Sequence, residues 1–267
     1  MRMFKLAAML VVLSAPPAMA LSSEPYLPKS HIDSIMIVPP PPEPVSVQQQ
    51  MDLDKVLAIQ KTRTPAQIKR AQTDRDFTGF ATVLGPKFTP ENLPITSALI
   101  SKVTAETNAE VDRVKDCWQR SRPFVFSKEV MPAENAGAAM MIKPGTAVEN
   151  KAPQGGALPC KPAEKAPAAS YSYPSGAANG GMTAALILTA LLPEKRNELL
   201  ARAREYGENR VVLGVHFPSD IEAANSLATV LVGFMNSNPA FIDDLAIARA
   251  EIRKVVPLTA GDDGHNH

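Results

Sequence analysis

Three short stretches concentrate the side chains that could hold an oxyanion and attack its central atom: Lys115 to Pro123 (KDCWQRSRP), Tyr173 to Ala177 (YPSGA) and Asn209 to Asp220 (NRVVLGVHFPSD). In the third, His216 lies four residues before Asp220 and six after Arg210. A carboxylate that fixes the imidazole tautomer leaves the other ring nitrogen free as a nucleophile, and an arginine stabilises charge on the group attacked. A structural histidine bonded to an aspartate at a helix start has the same local signature, so this stretch alone leaves both readings open. In the second, Ser175 and Gly176 stand ahead of an apolar run and can offer a hydroxyl and free amides at a helix N-terminus, where anions bind readily. A plain helix cap looks the same. In the first, Lys115 and Arg122 are seven residues apart, two turns if one helix runs through both, which would aim two cations to one side. The alternative is a solvated face.

These stretches need rigid elements beneath them. Ser97 to Arg120 carries Ile100, Val103, Val111, Val114 and Trp118 at helical spacing among charged neighbours, which predicts one long helix. Met182 to Leu192 predicts a buried helix, and Pro193 starts another running to about Tyr206. Ser219, with Glu222 at capping-box spacing, starts a third, and Asn238-Pro239 starts the last, ending near Val255. Upstream, Leu53, Val56, Leu57 and Gln60 give a helical stripe from Met51, and Thr64-Pro65-Ala66-Gln67 opens a second helix with a capping box and a first-turn proline. Four consecutive prolines within Val38 to Pro44 exclude helix interior and read as an extended polyproline tract. Pro132 to Ser170, rich in Ala, Pro, Gly and Lys, reads as a long loop with at most short helices. No strand alternation follows Gly79, so the fold class is all-α, one compact helical domain over residues 51–256. An extended proline-rich segment (21–50) precedes it and a flexible tail (257–267) follows.

The first twenty residues read as an export signal: basic Arg2 and Lys5, apolar Leu6 to Leu13, and the cleavage site Ala18-Met19-Ala20. The mature chain is expected to begin near Leu21, in the periplasm or outside the cell. Ala184 to Leu192 and Leu227 to Phe234 fall short of the roughly 20 apolar residues of a membrane span, so no stable membrane insertion is expected. A net charge of +1 argues against nucleic acid or an anionic membrane as the main partner. Four histidines, at 31, 216, 265 and 267, are too scattered for metal-ligand spacing, so no structural metal is expected. In an oxidising compartment Cys117 and Cys160 can close a bridge that ties the long loop to the helix of Lys115, contributing about 3–4 kcal/mol in the chain-entropy model. Homo-oligomer formation is left open.

Taken together, K-x-x-x-x-x-x-R-P, P-S-G and R-x-x-x-x-x-H-x-x-x-D resemble the three-part signature of the type 2 phosphatidic acid phosphatase superfamily, which includes vanadium haloperoxidases. The closer resemblance is to class A bacterial nonspecific acid phosphatases, through Val38-Pro39-Pro40-Pro41-Pro42, Gly207-Glu208-Asn209-Arg210, Gly214-Val215-His216 and Asn238-Pro239-Ala240-Phe241. That resemblance spans about residues 37–255 and implies small phosphorylated substrates and no cofactor, with phosphate or vanadate able to occupy the oxyanion site. It implies that Lys115, Arg122 and Arg210 grip phosphate oxygens with Ser175 and the Gly176 amide, and that His216, oriented by Asp220, becomes a phosphohistidine. The pattern departs from the family at Ala177, where a histidine protonates the leaving alcohol, and more mildly at Asn209, which stands for serine. Such a positioned acid is worth about 10²–10⁴ in rate. An enzyme tuned to good leaving groups, a phosphate-binding pseudoenzyme and a haloperoxidase are the readings this leaves.

Overall fold

The computed structural model describes residues 20–28, 32–74, 76–134, 136 and 171–257. The expected export signal up to residue 19, most of the expected 132–170 loop with Cys160, and the expected tail from residue 258 lie outside the described residues.

Among the described residues all regular structure is helical: α1 (Ser34–Ile37), α2 (Val47–Thr62), α3 (Pro65–Thr73), α4 (Ala81–Leu84), α5 (Pro94–Trp118), α6 (Pro123–Phe126), α7 (Gly176–Leu191), α8 (Arg196–Val212), α9 (Pro218–Met235) and α10 (Pro239–Ile252), with 3₁₀ turns at Phe77–Phe80 and Pro193–Lys195. None of these helices is long and apolar enough to cross a membrane.

The centre of the domain is α7, which packs against α8, α9, α5 and α10. Its sequence, GAANGGMTAALILTAL, is small in its first half and aliphatic in its second. The aliphatic half, with Ile187, Leu188 and Leu191, joins Leu99, Phe80, Leu199 and Phe241 in the main core. In the small half the neighbouring helix comes close: a Cβ on Gly181 would lie 2.8 Å from Tyr206 of α8. That approach carries the N-terminus of α7 to the site described below.

The capping box at Thr64 and Gln67 forms as expected, with Thr64 N–H donating to Gln67 Oε1 at 2.8 Å. The Asn238 side chain likewise caps α10. Four expectations change. α7 begins at Gly176, a turn and a half before Met182. α8 runs through Gly207 to Val212, and the glycine serves packing rather than a helix end: Ile221 of α9 fills the space where a Cβ at 207 would sit, 2.3 Å away. The Ser219–Glu222 box is replaced by Asp220, which accepts the Phe217 N–H at 2.8 Å, while Ser219 turns its hydroxyl to Asp52. Finally, the 21–50 segment is stitched into the domain. Tyr26 is buried, donates from its hydroxyl to Asp244 at 2.6 Å, and gives its N–H to Glu106 of α5 at 2.8 Å. The proline tract lies outside any helix, and its Pro39 carbonyl accepts the Tyr173 hydroxyl.

Candidate active site

The site lies where the C-terminal end of α5, the N-termini of α7 and α9, and the α8–α9 turn meet. The turn works because Gly214 takes φ +74°, a left-handed conformation that a β-carbon disfavours. It holds His216 almost fully buried, with Val215 N–H bonded to the Arg210 carbonyl at 3.2 Å.

Lys115 and Arg122 both reach this pocket, but not as two turns of one helix. α5 stops at Trp118, Gln119 takes φ +48°, and Arg122 arrives on extended backbone at the cap of α6. Arg122 Nη1 lies 3.0 Å from His216 Nε2 and also donates to the Val215 carbonyl at 2.9 Å. An arginine only donates, so Nε2 presents its lone pair and the ring proton sits on Nδ1. Nδ1 faces Asp220 Oδ2 at a long 3.4 Å, with Ser172 Oγ at the same distance. Asp220, fully buried, accepts from Ser172, from the Phe217 amide and from Arg120.

The second stretch is threaded between these groups. Tyr171 offers its carbonyl to Lys115 Nζ at 2.7 Å, Ser172 N–H donates to the Arg120 carbonyl, and Ser175 N–H donates to the Asp220 carbonyl at 3.1 Å. Ser175 caps α7 by accepting the Ala178 N–H through Oγ and the Asn179 N–H through its carbonyl. The Gly176 and Ala177 amides are therefore the first-turn donors left for an anion. Arg210 is buried with its guanidinium donating to the Ala71 carbonyl of α3. Asn209 donates to Asp74 Oδ2, which also pairs with Arg202, so its amide anchors α8 to the end of α3.

Ala177 is half-buried in the wall of a cavity of about 490 Å³ whose lining includes Asp76, Phe77, Thr104, Asn108 and Tyr206. Among the described residues no histidine lines it. Cys117 is disulfide-bonded; Cys160, the other cysteine of the chain, lies outside the described residues.

Electrostatics divide the labour. Burial, and then the charge of Arg122, press the His216 imidazole down to about 3, so it stays neutral and keeps its lone pair through the mildly acidic range. Burial would raise Asp220, but Arg120 and the bonds from His216 and Ser172 outweigh it and hold the carboxyl below its usual range. Burial and Arg122 lower the Lys115 ammonium to about 7.

The fold brings residues of all three stretches together around a buried, neutral imidazole, and the family model described as PAP2 superfamily matches residues 94–240, more than half of the chain. The chain belongs to the PAP2 superfamily. This PAP2 chain is 28% identical to a non-specific acid phosphatase of Providencia stuartii over 92% of each chain. It is 26% identical to a non-specific acid phosphatase of Salmonella typhimurium, over 89% of this chain and 87% of the relative. It is 25% identical to an acid phosphatase of Zymomonas mobilis, over 84% of this chain and 77% of the relative.

Of the residues read from the PAP2 signature, the structure brings Lys115, Arg122, Ser175, Gly176, His216 and Asp220 to one pocket and holds Arg210 on its α3 side. Sequence reasoning missed Arg120 and Ser172, which bond to Asp220, and Asp52, which holds Arg120. The one available signal was a second arginine inside KDCWQRSRP.

The Lys115 shift has a measurable sign. Below about pH 7 the ammonium is charged and can pair with an anion; above it the free site loses that charge. Sulfate keeps its own charge across this range, so its affinity is expected to fall up to about tenfold per pH unit above pH 7. Lys115→Met is expected to bind sulfate weakly with little pH dependence. Isothermal titration from pH 5 to 9 checks both, and an unchanged wild-type affinity from pH 6 to 9 would contradict the assigned role of Lys115.

Proposed function

We propose that the chain is an exported acid phosphatase that hydrolyses phosphate monoesters through a phosphohistidine at His216. The observation that carries this reading is His216 itself: buried, neutral, with Nε2 directed at the Arg122 guanidinium 3.0 Å away, where a phosphate oxygen would bind. Lys115, Arg122 and Arg210, with the Ser175 hydroxyl and the Gly176 and Ala177 amides, neutralise and fix the phosphoryl oxygens, which is most of what phosphoryl transfer asks of a protein. Nε2 forms a bond to phosphorus as the P–O ester bond breaks, and the Nδ1 proton strengthens its bond to Asp220 as the ring becomes cationic. Water then attacks the phosphohistidine, the P–N bond breaks, and inorganic phosphate and neutral His216 are regenerated.

The leaving group departs over Ala177 into the 490 Å³ cavity and must carry its negative charge without a proton from a histidine. Good leaving groups, aryl phosphates above all, are the expected substrates. Ala177 also favours a second reading, a phosphate-binding protein without turnover. The likeness to acid phosphatases over nearly the whole length supports the enzyme. The export signal supports a periplasmic or secreted site of action. Phosphate release from an aryl phosphate by purified mature protein decides between the readings: steady turnover at pH 5–6 supports the enzyme, and tight phosphate binding without turnover replaces it with the binding protein.

A further inference from the structure

Behind the site, Arg120 is 5% exposed and spends its four terminal N–H groups on scaffold. Nη1 donates to Asp220 Oδ1 at 2.6 Å and to Ser219 Oγ at 2.7 Å. Nη2 donates to Asp52 Oδ2 and to Gln49 Oε1, both at 2.7 Å. The guanidinium lies 4.2 Å over the Phe217 ring, the residue between His216 and α9. Asp52, 2% exposed on α2, closes the arrangement by accepting from the Ser219 amide at 3.3 Å and from its hydroxyl.

Two consequences follow from this wiring. With every terminal donor committed, Arg120 is a scaffold cation, unlike Arg122, whose guanidinium meets the nucleophile. And because it takes Oδ1 of Asp220, it leaves Oδ2 to Phe217 N–H, Ser172 and His216 Nδ1. With a charge-assisted bond on Oδ1 and further donors on Oδ2, the carboxylate is fixed in one plane. The local sum of one guanidinium and two carboxylates is negative, which suits an imidazole that turns cationic as Nε2 attacks.

We propose that Arg120, clamped from behind by Asp52 and Gln49 of α2, is a positioning residue that sets the orientation of Asp220 and through it, together with Arg122 on the Nε2 side, the tautomer of His216. This rests on the phosphatase reading for its kinetic arm only. α2 thereby belongs to the catalytic apparatus although none of its residues touches the phosphate.

In the full mature protein, Arg120→Gln is expected to lower kcat on an aryl phosphate on the order of 10–100-fold, the usual range for groups that orient a first-line residue, with KM and the inhibition constant of phosphate changing less than twofold. ¹⁵N imidazole NMR is expected to show His216 as the Nδ1–H tautomer in the wild type and as a mixture in the variant. Because Arg120→Gln leaves Asp52 buried without its cation, a second variant, Asp52→Asn with Arg120→Gln, removes both charges. It is expected to regain thermal stability without regaining kcat or the pure tautomer. Recovery of kcat together with stability would overturn the proposal, as would a loss confined to KM, or a tautomer unchanged in Arg120→Gln. Should the wild type bind phosphate without turnover, the phosphatase reading fails, and the tautomer comparison still decides the proposal.

Discussion

Replacing His216 by alanine is expected to lower phosphate release from an aryl phosphate by about 10⁴-fold or more, since the nucleophile has no neighbour able to replace it. Arg122 and Lys115 have no lone pair to offer while charged, and Ser172 Oγ stands on the Nδ1 side of the ring, away from Arg122. The substitution should leave phosphate binding largely intact, because the cationic groups and the α7 amides are untouched. Steady-state kinetics beside phosphate titration of the same variant separates the two effects. A His216→Ala protein that turns over within tenfold of wild type would remove the histidine from the mechanism.

The second large effect concerns what is missing. With alanine at 177 the departing oxygen develops its charge unaided, so rate is expected to depend steeply on leaving-group acidity. Ala177→His places a titratable ring in the first turn of α7, in the wall of the 490 Å³ cavity beside the proposed site. It should accelerate an alkyl phosphate by up to about 10²–10⁴ and an aryl phosphate little. Both substrates, measured with both proteins between pH 4 and 7, give the answer. Equal acceleration of the two would show that position 177 does not act on the leaving group.

The sequence disclosed what is local. The Thr64 box, the proline starts at Pro65 and Pro239, and the helical class depend on contacts within a few residues, and the three motif stretches stand in the order in which they meet in space. What it hid is set at a distance. Arg120 bonds to residues 68 to 100 positions away, and Asp52 sits on a helix whose apolar stripe is weak, so it reads as a surface acid. The helix expected over Ser97 to Arg120 stops at Trp118, before Gln119, a non-glycine left-handed residue that no local pattern announces. Gly207 marks a helix end by propensity, yet α8 continues through it, and the glycine is there to leave room for Ile221. The site was thus readable as a set of residues, while the network that holds Asp220 became visible only with the fold.

The most direct measurement is a rapid acid or base quench of the enzyme mixed with ³²P-labelled aryl phosphate, followed by peptide mapping. The account predicts a labelled protein whose phosphoryl group is lost in acid and kept in base, as a phosphoramidate requires, with the label on the peptide containing His216 and absent from His216→Ala. Turnover with no labelled protein at any quench time, or label on a residue other than His216, would contradict it.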